Sequence, residues 1–346
     1  MGTILRYALA SAIILALSDS GAAAQQLRVV HYGGTADKLL RNFCFGPAEK
    51  AIGVKIVDMS RTDYGKIKAM VEANNIEWDV ALVNTLLVKR AVKEKNNLFE
   101  PIDWSVIDPK VQGQIPRLEH SVTYLTYSQG LAYSTEKYPN PATAPKNWAD
   151  FWDVKKLPGP RALENRVRYE LEAALVADGV PPNKLYPLDV ERAFRKLDEV
   201  KPHITVWSNP PVQAIDLIAS GEVVMAMSSH HEVRKAKEKG IKIEFVWPGS
   251  LYITNDWAIL RGSPNKQKAM EMIKFCTGPE PEAEMAKTVY FGPPNPEAIA
   301  RLSAEDRAAL PTSPENLKQA AAFDPVWWGD NEATLIERWN AWLLKK

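Results

Sequence analysis

Asp150 with Asp153 and Glu170 with Glu172 are close pairs of carboxylates, the raw material of general acid–base chemistry. Both pairs fall in stretches with helical spacing, where a solvated charged face is the plainer reading. His230-His231-Glu232 is the one histidine cluster. Neighbours in sequence point to different sides of a strand or helix, so a shared metal is disfavoured against a polar loop or helix start. His31, His120 and His203 stand alone and read as structural histidines. The chain contains no G-x-S-x-G elbow, no phosphate loop, no G-x-G-x-x-G after a strand and no H-E-x-x-H. No nucleophile is assembled, and neither catalytic residues, a metal nor a cofactor is expected.

The elements that would position a site alternate. Leu27 to Tyr32 reads as a strand, followed by Gly33-Gly34-Thr35 and apolar helical spacing at Leu39, Leu40, Phe43 and Ala48. Val54 to Met59 and Val80 to Val83 are further strands, with helices over Tyr64 to Val71 and from near Thr85. Strand and helix in turn, with short connections, predict a parallel sheet covered on both faces. Val122 to Tyr127 and Leu131 to Tyr133 then read as adjacent strands without a helix between them. A run of helices follows from Trp148. Strands at Ile204 to Trp207, Val223 to Met227 and Ile241 to Val246, with helices between, complete a second α/β unit, and Trp257 to Leu260 starts one more strand. Leu335, Ile336, Trp339, Trp342 and Leu343 form one stripe of a final amphipathic helix, read as core packing. Two α/β lobes joined by extended segments near 130 and 252 fit this order.

Arg6, the apolar run Tyr7 to Leu17 and Ala22-Ala23-Ala24 have the form of a secretion signal, with cleavage expected after Ala24. The run is shorter than the roughly 20 residues that span a bilayer. The mature chain would work outside the cytoplasmic membrane, in the periplasm. Its signal removes one charge of each sign, so the formal net charge of +1 persists and no nucleic-acid footprint is visible. A mature chain of this length favours two domains or lobes. Cys44 and Cys276 are the only 2 cysteines. A disulfide between them and two buried free thiols are both open readings in such a compartment.

Several local strings resemble the extracellular solute-binding proteins of ABC importers, in the spermidine/putrescine-type branch. They are Tyr32-Gly33-Gly34, Gly53-Val54-Lys55-Ile56, Trp78-Asp79-Val80, Leu98-Phe99-Glu100-Pro101-Ile102-Asp103, Asn147-Trp148-Ala149-Asp150-Phe151-Trp152-Asp153 and Ala219-Ser220-Gly221-Glu222-Val223, with the tail from Trp327-Trp328 to Trp342-Leu343. The resemblance implies a type II periplasmic-binding fold: an α/β protein of two doubly wound lobes joined by a hinge, with the ligand enclosed between them. The first lobe would hold 27–130 and 254–297, and the second 131–253 and 298–346. Both cysteines then fall in the first lobe, which favours their pairing. The implied partners are a small-molecule solute and the membrane subunits of an ABC permease, with the protein itself a monomer.

In doubly wound sheets the crevice lies beyond the carboxyl ends of the strands, at helix N-termini. Tyr32, Gly33, Gly34, Asn84 and Thr85 occupy such positions. Tyr32 stands where relatives usually carry a stacking Trp. Polyamine-binding relatives hold ammonium groups with carboxylates; here Tyr169 and Asn255 stand where acids are expected, with Asp256 adjacent, and Ser229 near the place of a second Trp. Arg166 and Arg168 add positive charge, and Tyr127 and Ser128 complete the candidate set. A guanidinium fork suits a carboxylate and repels an ammonium, so the expected solute carries an anionic group, beside an amine or alone. The solute class stays open between polyamine-like and amino-acid- or carboxylate-like, and the competing reading of another kind is a secreted hydrolase or lyase with a cleft site.

Overall fold

The computed structural model describes residues 25–33, 35–208 and 213–345. The expected signal segment and Gly34 lie outside the described residues. Nine strands form one sheet: β1 Gln26–His31, β2 Lys55–Ser60, β3 Val80–Asn84, β4 Val122–Ser134, β5 Arg161–Glu164, β6 Ile204–Ser208, β7 Met225–Ser229, β8 Ile243–Ile259 and β9 Ala321–Ala322. Their order is β2-β1-β3-β8-β4-β7-β5-β6, with β9 beside β8. β1 lies parallel between β2 and β3, and β5 lies parallel between β6 and β7. Between these two trios run β4 and β8, antiparallel to each other from Val122↔Trp257 to Ser134↔Ile243. The sequence suggested separate short strands in both places, but each is one strand crossing from one lobe to the other.

The interruptions that made them look separate are packing features. Gly130 lies in β4 where a Cβ would come within 2.6 Å of the Phe245 ring, so the crossing needs a residue with no side chain. Gly249 in β8 has φ +77°, and a Cβ there would meet Val176 at 2.7 Å. The ladder bulges between Thr123 and Leu125 and between Gln129 and Leu131.

Side-chain alternation gives each trio two buried faces, as a sheet covered on both sides requires. Val29 and Leu82 join one apolar cluster while Val30 and Val83 join another; Leu163 and Met227 are divided in the same way from Ala162 and Ala226. The clusters of the first trio draw on 27–124 and 257–289, and those of the second on 131–253 and 321–342. A smaller cluster joins Ala283 and Ala286 to Ala298, Leu302 and Leu310. The final helix, Pro325–Leu344, buries Leu335, Trp339 and Trp342 as its spacing predicts, but Ile336 is 45 % exposed and lies off the stripe.

Cys44 and Cys276 form a disulfide between two buried positions 232 residues apart in sequence. It fastens the segment Arg41–Phe45 to the helix Lys266–Cys276 inside the first lobe. Glu170 and Glu172, expected on a solvated face, are wholly buried. Glu172 accepts from the Tyr186 hydroxyl and the Trp328 indole, at 2.5 and 2.6 Å, and Glu170 accepts from the Glu164 amide at 2.7 Å. Burial pushes both pKa values up. Asp150 serves the turn before its own helix, accepting from the Lys146 amide and the Lys156 ammonium.

Candidate functional site

The carboxyl ends of β1 and β3 bring the first half of the site together. Tyr32 follows β1 directly and stays 47 % exposed, with its hydroxyl donating to Asn255 Oδ1 on β8 at 3.1 Å. Gly33 has φ +87°, and its amide turns back onto His31 Nδ1 at 3.2 Å. That backbone region disfavours any side chain, and a Cβ would also press on Ser60 at 3.0 Å. Asn84 ends β3 and caps the helix Thr85–Lys93 by accepting from the Leu86 amide at 2.9 Å. Thr85 donates to the Thr254 carbonyl at 3.0 Å.

Asn255 and Asp256 cannot both face Tyr32, because successive residues of a strand point to opposite sides. Asn255 faces the ring. Asp256 is fully buried, accepting from Ser121 Oγ at 2.9 Å and Thr123 Oγ1 at 3.0 Å, so it underlies the cleft instead of lining it. Burial pushes its pKa up to about 6, against the pull of its hydroxyl donors Ser121 and Thr123 and of the nearby Thr85 hydroxyl. The folded state therefore binds its proton more tightly than the unfolded chain. The stability this contributes is complete below pH 3.8 and is lost as pH rises through about 6, a change on the order of 3 kcal/mol. Asp256→Asn should flatten that part of the pH–stability curve. Chemical denaturation of both proteins at pH 4 and pH 7 checks it, and parallel curves would refute the assignment.

The second half of the site gathers at the ends of β5 and β7. Arg166 lies two residues beyond β5, its guanidinium 4.6 Å from the Tyr169 ring centroid. Its Nε edge pairs with Glu164, the last residue of β5, and Nη1 and Nη2 make no hydrogen bond to any described residue. Burial opposes the Arg166 charge, but Glu164, Tyr169 and Tyr127 outweigh it and raise the pKa. Tyr169 takes φ +74° at the start of the helix Glu170–Ala177, and its hydroxyl lies close to that of Tyr127. Tyr127 is itself edge-on to Phe291 and His231, at 6.5 and 6.0 Å between ring centroids.

Arg168 departs from expectation. Its guanidinium is taken by Glu332 on the final helix, with Nε 2.6 Å from Oε1. Ser229 starts the helix His230–Glu238 without capping it through its side chain. Ser128 is fully buried and offers its amide to His230 Nδ1 at 3.0 Å. The other nitrogen of that ring, Nε2, donates to the Tyr290 carbonyl at 2.6 Å, tying the second half of the molecule to the first. Burial lowers the His230 pKa to about 4, so the ring is neutral at neutral pH. Gln129 and Glu164 escaped the sequence reading. The clue was present for Glu164: an acid at the carboxyl end of a strand borders the crevice, but the strand Arg-Ala-Leu-Glu is too short to read as one.

The structure thus brings together Tyr32, Asn84, Thr85 and Asn255 on one side, and Tyr127, Arg166 and Tyr169 on the other. It sends Arg168 elsewhere and buries Ser128 and Asp256 beneath. Phenol hydroxyls, amide groups and one guanidinium edge can recognise a planar anion joined to a short chain. Among the described residues no group of three His, Cys, Asp or Glu side chains could hold a metal. A separate concavity, about 1160 Å³, lies away from this cleft, lined from residues 107–115, 274–279 and 294–317.

Two α/β lobes hung on a pair of shared strands, facing each other across a polar cleft, define a solute-binding protein of the kind that serves ABC importers. The bacterial extracellular solute-binding protein family matches residues 45–313, and the chain belongs to that family. A γ-aminobutyric acid-binding protein of Pseudomonas aeruginosa is 36 % identical over 336 residues, 94 % of this chain and 92 % of the relative. A spermidine/putrescine-binding periplasmic protein of Escherichia coli is 25 % identical over 275 residues, 74 % of this chain and 75 % of the relative. A solved GABA receptor superposes with a TM-score of 0.81 at 31 % identity, covering 93 % of this chain and 98 % of that one. The role is capture of a small solute for import, and the family is extracellular. Among the described residues no helix is long and apolar enough to cross a membrane.

Proposed function

We propose that this protein captures a short zwitterionic amino acid of the γ-aminobutyric acid type in the periplasm and hands it, as a monomer, to an ABC permease. The observation that carries the reading is Arg166, whose paired Nε and stacked face leave the Nη edge available to a carboxylate. The Tyr32 and Tyr127 rings supply faces for the ammonium end, with Asn255 Oδ1 as an acceptor. The names of the two γ-aminobutyric acid-binding relatives support the same class of ligand. Among the described residues the cleft positions no nucleophile beside a base, and no enzymatic step is proposed. The signal is assigned to residues 1–24.

The hinge is assigned to β4 near 127–130 and β8 near 252–254. The contact of Ala298, Leu302 and Leu310 with Ala283 and Ala286 favours placing those helices with the first lobe, not with the second.

Calorimetric titration tests the reading. γ-Aminobutyrate should bind saturably without being consumed, while putrescine and spermidine, which lack a carboxylate, bind weakly. Tight polyamine binding with no response to amino acids would overturn it. Tyr32→Ala should weaken binding by about 1 to 3 kcal/mol while the melting temperature holds, because the ring is half exposed and contributes to the cleft more than to the core. Unchanged affinity with a lower melting temperature would return Tyr32 to a packing role.

A further inference from the structure

Glu164 ends β5 at the cleft and is paired with the Arg166 guanidinium. It is 1 % exposed, and its Oε1 accepts from Gln129 Nε2 on β4 at 3.1 Å. Its Oε2 meets Arg166, and its amide is fastened to Glu170. A long arginine side chain has many rotamers, and a guanidinium selects a carboxylate only when its fork is held at a fixed angle. Here the Nε edge is occupied, the face rests on Tyr169, and one edge remains. Glu164 also sets the charge of the subsite. Alone, Arg166 would present a full positive charge and attract any anion; paired, it forms a neutral unit that still donates two hydrogen bonds.

We propose that Glu164 is a positioning and specificity residue: it aims the Nη edge of Arg166 and cancels its charge, so that the cleft takes a monocarboxylate carrying an amine in preference to a dianion of the same length. This rests on the proposed capture of a short zwitterion.

The test compares wild type, Glu164→Gln and Glu164→Asp with two ligands of four carbons, γ-aminobutyrate and succinate, by calorimetry, and follows apo melting alongside. Glu164→Gln should lose at least tenfold in affinity for γ-aminobutyrate and shift the γ-aminobutyrate-to-succinate ratio at least tenfold toward succinate, while the apo protein melts unchanged. Glu164→Asp should restore part of the preference, and it carries the test if the glutamine variant fails to fold. Unchanged or improved γ-aminobutyrate binding in Glu164→Gln overturns the proposal. So does an equal loss of both ligands accompanied by a lower melting temperature, which marks a structural role. Wild type that binds γ-aminobutyrate beside such variants leaves the functional reading standing. Wild type that binds no carboxylate-bearing amino acid removes both.

Discussion

Arg166→Gln is expected to abolish useful binding of γ-aminobutyrate. Removing one partner of a desolvated, hydrogen-bonded charge pair costs about 2 to 5 kcal/mol, or roughly 30-fold to a few thousand-fold in affinity. Arg166→Lys keeps the charge but loses the planar fork and the stacking on Tyr169, so it should fall between. The control is two residues away. Arg168 is committed to Glu332, and Arg168→Gln should leave affinity near that of wild type. Calorimetry on the three variants decides the matter: equal losses at 166 and 168, or none at 166, would remove Arg166 from the site. Melting temperature should also fall in Arg166→Gln, because buried Glu164 loses its cation and keeps only Gln129 as a partner, so affinities are compared well below the melting range.

The second large effect concerns stability. Replacing Cys44 and Cys276 together by serine should cost about 2 to 5 kcal/mol, since the bridge closes a loop of 232 residues in the unfolded chain. At about 2 to 4 °C per kcal/mol, the melting temperature should drop by about 4 to 20 °C. Both cysteines are fully buried among first-lobe helices, so the folded variant should bind its ligand as wild type does. Thermal melts of wild type with and without reductant, beside the double serine variant, provide the measurement. A reduced protein that melts with the oxidised one would show that the bridge adds nothing to folding.

The first lobe was the more legible in sequence. Its strands alternate with helices at short intervals, and Tyr32, Asn84 and Thr85 stand at the turn positions where such strands end. The second lobe was harder for physical reasons. β5 is only Arg161–Glu164, and without it Glu164 could not be placed at the crevice. Sequence proximity made Arg166 and Arg168 look alike, but the chain turns at Tyr169, and the partner of Arg168 lies 164 residues away. Local pattern carries no information about so distant a contact. Buried Glu172 was misread for the same reason, since its donors Tyr186 and Trp328 come from two other segments, and Glu170 because its donor is the amide of Glu164 on the short strand β5. The two readings left open for the cysteines resolve once the helices that carry them are seen side by side.

β4 and β8 have a further meaning for how this molecule can be divided. Each lobe borrows a stretch of both strands to complete its sheet, and the two strands pair on both sides of the bulge between Gln129 and Leu131. Cutting the chain at the hinge would not release two modules. It would leave each half with a sheet edge exposing unpaired N–H and C=O groups, ready to pair with any other strand. The lobes are therefore mechanical units without being separable ones. A protein redesigned from interchangeable halves would have to carry the whole two-stranded ribbon with one of them.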